Sequence, residues 1–346
     1  MNWIHQAIKQ PSLAHKEIAQ DRQNLLTKPP GSLGELESIV IRLAALQQRN
    51  TPSVERAFVT IFAADHGIAE EGVSAFPQAV TQAMVANYVN GGAAINVLAK
   101  QQDAQLNIIN VGIKNGSTNL SGVSHQVVAN GTANFLHQAA MSVQQLEQAL
   151  NVGRQAIDSI ASQPVDVFIG GEMGIANTTS ASALACALLK QPVAQLVGAG
   201  TGLNRQGIDK KQRIIEQALS LHHEQLTDTL TILQHLGGFE IAALVGAYIR
   251  CGQLGIPIIV DGFITSVAAL IATNIQPHLN DWLFYGHQSE EPGHQHVLAA
   301  LQAKPILKLN MRLGEASGAA LALSILKNAC ALHHHMSTFE DAGVPT

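Results

Sequence analysis

The sequence predicts an α/β protein, a Rossmann-like parallel sheet flanked by helices, with a smaller helical domain built from the two chain termini. Two observations predict this class. Short, continuous apolar runs recur along the chain, as in parallel strands that are covered on both faces. Segments with helical spacing separate most of these runs, and that alternation is typical of a parallel sheet wrapped by helices. With 346 residues, of which 47% are apolar, the chain can bury a large core.

The two ends of the chain have helical patterns. Residues 1–50 show helical spacing with a break at 28–34, where two prolines and two glycines interrupt the pattern. A long pattern rich in small residues begins at about residue 316. We therefore expect residues 1–50 and about 316–346 to form the small helical domain, and about 51–315 to form a large α/β nucleotide-binding domain.

Six apolar runs are predicted to be the strands of the sheet: residues 57–63, 106–111, 165–169, 193–197, 256–260 and 282–285. In open sheets of this class, ligands bind outside the C-terminal ends of the strands. The loops that follow these runs are therefore the candidate site.

Composition excludes several classes of function. A net charge of −5, with 13% charged and 4% aromatic residues, supplies neither the basic surface nor the stacking side chains that nucleic-acid binding requires. The three cysteines, Cys186, Cys251 and Cys330, are scattered, which suits a reducing cytoplasm. No segment resembles an export signal or a membrane span. We expect a cytoplasmic protein.

Two glycine-rich loops follow predicted strands. One begins at Gly170 and leads into a helical pattern at 181–190, and the other spans 198–202. Glycines let backbone amides approach an anion, and a helix start adds its positive dipole end, so the pair predicts a phosphorylated ligand. Each loop alone is equally explained as a tight turn. Lys210 and Lys211 follow the second loop and either provide a positive charge for a phosphate or form a solvated helix face.

Glu315 is the candidate catalytic base. It lies among Gly314, Ala316 and Gly318, before the apolar helical run 319–326. A carboxyl group that loses water beside a buried surface has a raised pKa and can accept a proton at cellular pH. The alternative is that Glu315 occupies the first turn of the helix, where its charge favours the helix dipole.

The histidines invite a metal hypothesis that the spacing does not favour. His287, His294 and His296 lie in one segment without a recognised set of metal ligands, and adjacent histidines 333–335 point in different directions on a helix. We predict structural or solvent-facing roles for them and no metal site.

Nine motifs in order along the chain identify a resemblance. They are Lys28-Pro-Pro-Gly-Ser-Leu-Gly, Ala64-Asp-His-Gly, Gly72-Val-Ser-Ala-Phe-Pro, Gly91-Gly-Ala-Ala-Ile-Asn, Gly170-Gly-Glu-Met-Gly-Ile-Ala-Asn-Thr-Thr, Gly198-Ala-Gly-Thr-Gly, Asp261-Gly-Phe, Gly286-His-Gln-Ser-Glu-Glu-Pro-Gly-His and Met311-Arg-Leu-Gly-Glu. With these motifs, nearly the whole chain resembles the nicotinate-nucleotide:dimethylbenzimidazole phosphoribosyltransferase family, whose members make the precursor of the cobalamin lower ligand.

The resemblance implies an activity. Members of the family transfer the phosphoribosyl group of nicotinate mononucleotide to 5,6-dimethylbenzimidazole with inversion at the anomeric carbon, and they imply no metal or redox cofactor. By resemblance, Glu315 is the base that removes the azole proton. Lys211, rather than Lys210, is expected to join the residues around the nucleotide phosphate and ribose, which are Gly174, Asn177, Gly198, Gly200, Thr201 and Gly202. A homodimer is also implied.

Two further sets of residues are assigned from chemistry. Glu172 either stabilises positive charge at the anomeric carbon, binds ribose hydroxyls, or only satisfies backbone donors. The azole needs an apolar slot beside Glu315, for which the candidates are Ser74, Phe76, Met84, Tyr88, Met311 and Leu313. Ordinary core packing explains these apolar side chains equally well.

Two other functions fit part of the pattern. A dehydrogenase would place a dinucleotide on a strand followed by Gly198-x-Gly200, but Leu203 occupies the position where the fingerprint requires a third glycine. A noncatalytic sensor could bind a nucleotide or an azole with the same loops. A desolvated Glu315 would separate an enzyme from a sensor, because binding alone needs no base.

Overall fold

The computed structural model describes residues 1–114 and 120–345. In these residues, six parallel strands form one sheet in the order β3-β2-β1-β4-β5-β6. This is the Rossmann order, in which the direction of winding reverses between β1 and β4. The strands are β1 (Ala57–Ala64), β2 (Gln105–Gly112), β3 (Ser124–His125), β4 (Val167–Met173), β5 (Ile258–Val260) and β6 (Leu283–Tyr285).

Helices connect most of the strands and cover both faces of the sheet. They are α1 (Leu13–Leu25), α2 (Glu35–Gln47), α3 (Ala79–Val89), α4 (Ala94–Gln101), α5 (Val143–Ile160), α6 (Asn177–Leu189), α7 (Val193–Leu196), α8 (Arg205–Leu221), α9 (Thr229–Leu236), α10 (Phe239–Leu254), α11 (Phe263–Ile275), α12 (Pro292–Ala300), α13 (Ser317–His335) and α14 (Phe339–Ala342). Short 3₁₀ helices lie at Asn2–His5, Gly67–Glu71 and Pro277–Trp282. Across the described ranges, no helix is both long and apolar enough to cross a membrane.

Two glycines in β4 allow helices to approach the sheet closely from opposite faces. A Cβ atom on Gly170 would lie 2.6 Å from the Leu244 side chain of α10, and one on Gly171 would lie 2.9 Å from Cβ of Ala316, directly before α13. Successive residues of a strand face opposite sides, so α10 and the start of α13 lie on different faces of the sheet. The glycines therefore belong to the strand, and they set the positions of both helices.

The helices from the two chain ends pack against each other. Helix α2 contacts both α1 and α13. Arg22 of α1 donates hydrogen bonds to the backbone carbonyls of His333 and His334, and Gln23 bonds the His333 ring nitrogen Nδ1 over 2.8 Å. His333 is buried and also bonds the Asn50 carbonyl. These contacts fasten the C-terminal helix to the N-terminal pair.

The prediction of a strand at 193–197 is wrong. The segment forms the short helix α7, which begins after Pro192, and Val197 N–H bonds the Val193 carbonyl as in a helical turn. Val193 and Leu196 are buried while the two residues between them are exposed, so the apolar side chains follow a helical period. The strand that the sequence analysis missed is β3, which has only two residues and contains no apolar run.

The predicted boundary of the strand at 165–169 is also wrong. The strand runs from Val167 to Met173, so Gly170, Gly171 and Glu172 lie within β4 and not in the loop after it. The remaining predicted strands are confirmed, with ends shifted by one or two residues.

Candidate active site

A cavity of about 430 Å³ opens at the C-terminal edge of the sheet. Its walls include the end of β4, the segments that follow β5 and β6, and the turn before α13. This is the edge at which open α/β sheets bind ligands. Among the residues predicted from the sequence, those that line the cavity are Phe76, Met84, Glu172, Gly174, Asn177, Gly200, Thr201, Leu313 and Glu315.

A left-handed turn places Glu315 in this cavity. Gly314, Glu315 and Ala316 have φ angles of 84°, 59° and 64°, and α13 begins only at Ser317. Two of these residues carry side chains that disfavour such angles, which is a local strain of the kind found at functional sites. The alternative that Glu315 occupies the first helical turn is therefore wrong. The sharp turn directs its carboxylate away from the helix.

The Glu315 carboxyl lies in a partly dry environment. The residue is only 8% exposed. Burial raises the pKa of this carboxyl, and the negative charge of Asp261 raises it further. The buried Tyr88 hydroxyl lies beside the carboxyl and acts in the opposite direction, lowering its pKa, although it makes no hydrogen bond of regular geometry. A carboxylate in this environment is a suitable proton acceptor near neutral pH.

Glu172 lies next to Glu315 at the end of β4. Its Oε1 accepts a hydrogen bond from the Glu315 backbone N–H over 3.4 Å, and its Oε2 accepts one from the Asn177 side-chain amide. Burial raises the pKa of Glu172 well above its usual value, and nearby Asp261 and Glu240 add to the effect. Carboxylates this close do not all ionise together.

A buried ammonium group lies behind the second glycine loop. Lys211 is fully buried, and its Nζ donates a hydrogen bond to Thr178 Oγ1 over 2.9 Å. Burial lowers the pKa of Lys211 to about 8, while Glu291 partly opposes this shift. A Cβ atom on Gly200 would lie 3.3 Å from Nζ, so the missing side chain lets the loop approach the ammonium. Lys210 is exposed.

The other two glycines of this loop lie outside the cavity wall. A Cβ atom on Gly198 would lie 2.2 Å from the Glu291 carboxylate, so a side chain has no room there. Gly202 is exposed and has a φ angle of 112°, which requires glycine. These two residues shape the loop that presents Gly200 and Thr201.

The residues predicted for the azole are divided between the mouth and the wall of the cavity. Phe76 and Leu313 line the mouth and are 52% and 54% exposed, and Met84 is half-buried on the wall. Ser74 does not line the cavity but shares a 3.0 Å hydrogen bond with Thr201. Met311 lies outside the wall and accepts a hydrogen bond through its backbone carbonyl. Tyr88 contributes its hydroxyl beside Glu315 and no apolar wall.

Several polar residues of the cavity were not predicted as site residues. The clearest is Asp261, which is 1% exposed and whose Oδ1 accepts a hydrogen bond from Ala319 N–H at the start of α13 over 2.8 Å. Its Oδ2 has no partner within the described residues. The sequence did contain an indication of this role, because Asp261 directly follows the predicted strand 256–260. Others that line the cavity are Thr178, His287, Ser289, Glu291 and Arg312.

The clustered histidines have different surroundings. His294 is buried, with Ser266 at one ring nitrogen and Ser289 at the other, and burial lowers its pKa to about 3. His287 lines the cavity, 3.7 Å from Asp261. Across residues 1–114 and 120–345, no three His, Cys, Asp or Glu side chains are arranged to hold a metal ion.

Fold and site together define a class of protein. A parallel sheet in Rossmann order, a cavity at its C-terminal edge, a glycine loop backed by an ammonium, and a desolvated carboxyl are the parts of a nucleotide-binding α/β enzyme. The sequence model of the phosphoribosyltransferase family matches residues 8–344. The chain belongs to this family.

Relatives over the whole length carry a common name. Nicotinate-nucleotide–dimethylbenzimidazole phosphoribosyltransferase from Pseudomonas fluorescens strain Pf-5 is 54% identical over 328 residues, covering 95% of this chain and 93% of the relative. The protein of the same name from Xanthomonas oryzae pv. oryzae is 51% identical over 99% of this chain and 98% of its own. The crystal structure of CobT from Thermus thermophilus superposes with a TM-score of 0.92 at 41% identity, covering 96% of this chain and 99% of that one.

The family assignment bears on the other two functions considered. A dehydrogenase fingerprint requires a strand before its glycine loop, and α7 occupies that place here. Relatives across the whole chain are transferases, which also disfavours a noncatalytic sensor.

Proposed function

We propose that this enzyme transfers the phosphoribosyl group of nicotinate mononucleotide to 5,6-dimethylbenzimidazole, giving α-ribazole 5′-phosphate and nicotinate with inversion at the anomeric carbon. The product would enter cobalamin nucleotide-loop synthesis. The names of the relatives support the reaction. The observation that carries the proposal is that a desolvated Glu315 shares one cavity with a glycine loop backed by a buried Lys211.

Glu315 acts as the general base in this proposal. The imine nitrogen of benzimidazole attacks the anomeric carbon, and the ring becomes positively charged unless the proton on its other nitrogen leaves. A partly buried carboxylate with a raised pKa is suited to accept that proton. The cationic pyridinium ring of the nucleotide becomes a neutral pyridine ring as nicotinate leaves, so its departure needs little acid assistance. Attack from the face opposite nicotinate inverts the configuration.

The glycine loop and Lys211 would hold the nucleotide phosphate. Backbone amides of Gly200 and Thr201, which line the cavity, would donate to the phosphate, and the Lys211 ammonium retains donors beyond its bond to Thr178. Gly198 and Gly202 would shape this loop, and Gly174 and Asn177 would border the ribose.

Glu172 would lie beneath the anomeric carbon. As the transition state forms, positive charge develops on the sugar, and a carboxyl group there interacts favourably with that charge. The hydrogen bond from Asn177 fixes its orientation. In the same proposal, Phe76, Met84 and Leu313 provide an apolar slot for the azole, with Ser74, Tyr88 and Met311 supporting that slot from behind.

The remaining features of the proposal concern the whole molecule. The helices of residues 1–50 and about 316–346 would form the small domain, as their mutual packing supports, and residues 51–315 the large one. We propose that the protein is cytoplasmic, which the scattered, unpaired cysteines support. We also propose that it is a homodimer, which the family resemblance supports.

One assay tests the reaction. The purified enzyme is mixed with nicotinate mononucleotide and dimethylbenzimidazole, and nicotinate release is followed by chromatography. We expect equal amounts of nicotinate and an α-configured ribazole phosphate. No product would refute the transferase, and a nicotinamide-dependent absorbance change with hydroxy acids would support a dehydrogenase instead.

A further inference from the structure

The Thr81 hydroxyl joins two loops at the C-terminal edge of the sheet. Thr81 lies on α3 and is fully buried. Its Oγ1 donates a 2.7 Å hydrogen bond to Oδ1 of Asp65, the residue that directly follows β1. The same oxygen accepts a 3.1 Å hydrogen bond from the backbone N–H of Ile175, which lies two residues after β4. Both the donor and the acceptor capacity of one hydroxyl are therefore used.

The Ile175 N–H has its hydrogen-bond partner in Thr81 and not in the sheet. The ladder between β1 and β4 ends at Met173, so the amide lies beyond the last strand pair. The next residue, Ala176, has a φ of 77°, and it caps α6 without a side-chain hydrogen bond. The turn thus adopts a strained conformation, and the bond to Thr81 is one of the contacts that hold it. This turn carries Gly174 and Asn177 into the cavity.

Asp65 is itself fixed by a separate element. Its Oδ2 accepts a hydrogen bond from Lys114 N–H over 2.9 Å, after β2. The neighbouring His66 carbonyl accepts one from the Gln78 side chain at the start of α3 over 3.0 Å. Thr81 therefore bonds a loop that is itself held in place. Its second hydrogen bond, from the Ile175 N–H, ties the turn after β4 to that loop.

Helix α3 also reaches the other end of the cavity. Val80 and Met84 line the wall there, and the Tyr88 hydroxyl lies beside Glu315. The bond from Ile175 to Thr81 thus connects the turn that borders the proposed nucleotide to the helix that borders the proposed azole.

We infer that Thr81 is a positioning residue for the transfer reaction, whose hydroxyl fixes the spacing between the nucleotide turn 174–177 and helix α3. The inference rests on the proposed function. The amide of Asn177 holds the Glu172 carboxyl, so displacement of the turn would also displace that carboxyl from the reacting carbon. A misplacement of about 1 Å costs on the order of 100-fold in rate.

Thr81→Val tests the inference, because valine keeps the shape and removes the hydroxyl. It leaves the Asp65 oxygen and the Ile175 amide without this partner. We expect kcat to fall about tenfold or more and the affinity for nicotinate mononucleotide, measured by calorimetry, to fall about tenfold, both in protein shown to be folded by its thermal transition. Thr81→Ser, which keeps the hydroxyl, is expected to restore both values to within about threefold of the wild type.

Thr60→Val is the matched control. Thr60 is a buried threonine in β1 whose hydroxyl has no hydrogen-bond partner in the described residues, so the same substitution removes no bond there. We expect kcat and nucleotide affinity to be unchanged.

Three results would overturn the inference. Thr81→Val with wild-type kcat and affinity but a lower melting temperature would show a purely structural role. A tenfold loss in Thr81→Ser would show that the hydroxyl is not the relevant group, and this test remains if the valine variant does not fold. If the wild type releases no nicotinate, the proposed reaction is refuted. The role of Thr81 is refuted separately if Thr81→Val binds nicotinate mononucleotide as tightly as the wild type does.

Discussion

The backbone N–H of Glu315 donates a hydrogen bond to the Glu172 carboxylate over 3.4 Å, although the two residues are 143 positions apart. The bond joins the end of β4 to the left-handed turn before α13. It therefore sets the distance between the proposed base and the carboxyl proposed to lie beneath the sugar.

Tyr88→Phe is expected to shift the pH dependence of turnover. The Tyr88 hydroxyl lowers the pKa of Glu315, whereas burial and Asp261 raise it. Removing the hydroxyl should raise that pKa further, so a higher pH is needed to ionise the base. We expect the acid limb of kcat against pH to move to higher pH in the variant. Values of kcat are compared because free benzimidazole itself takes up a proton in acid. An unchanged limb, or one moved to lower pH, would contradict the placement of Tyr88.

Nucleotide binding should weaken in alkaline solution. Burial lowers the pKa of Lys211 to about 8, so its positive charge is present below that pH and lost above it. We expect the affinity for nicotinate mononucleotide, measured by calorimetry, to fall about tenfold between pH 7 and pH 9. Lys211→Met should bind weakly at both values, and Lys210→Met should retain the wild-type dependence. A steep dependence that persists in Lys211→Met would assign the titration to another group.

Two neighbouring glycines of β4 should respond differently to alanine. The Gly171→Ala methyl would press on the Ile61 side chain and on Ala316, next to Glu315, whereas the Gly170→Ala methyl would press on Leu244 from the opposite face of the sheet. Both are expected to lower stability by about 1–3 kcal/mol, as overpacking does. Only Gly171→Ala should also lower kcat, by about tenfold. Equal kcat values in the two variants, assayed as folded protein, would show that the turn tolerates displacement.

His333 should make the protein less stable in acid. It is buried as the neutral form, and burial lowers its pKa to about 4, below the value of about 6.5 in an unfolded chain. The stability it contributes is present above pH 6.5 and is lost as the pH falls toward 4. His333→Gln removes the titration while an amide can still bond Asn50. In urea unfolding, we expect the loss of free energy from pH 7 to pH 5 to be about 2 kcal/mol smaller in this variant. Equal losses would contradict a neutral His333.

The sequence predicted the parallel sheet and its ligand-binding edge, because buried strands leave continuous apolar runs. It misassigned 193–197, since five residues with apolar positions one turn apart match a short helix as well as a strand. It also misplaced Gly170 and Glu172, because glycine suggests a loop and the close approach of Leu244 that requires glycine within β4 depends on the tertiary structure.

The site was partly accessible from sequence for similar reasons. Glu315 stood out through its glycine neighbours, but the left-handed turn that removes it from the helix is determined by packing against β4. The sequence around Asp261 and Thr81 indicated a role in the site less clearly than the sequence around Glu315 did. Their partners lie 58 and 94 residues away, at Ala319 and Ile175, and no local pattern reveals such pairs.

The most direct test of the central claim is the turnover of Glu315→Gln. Glutamine keeps the size and polarity of the side chain but cannot accept the azole proton. We expect kcat to fall by about two or more orders of magnitude while the affinity for nicotinate mononucleotide remains unchanged. The exposed Glu290→Gln is the control and should match the wild type. A Glu315→Gln enzyme that turns over at the wild-type rate would contradict the account.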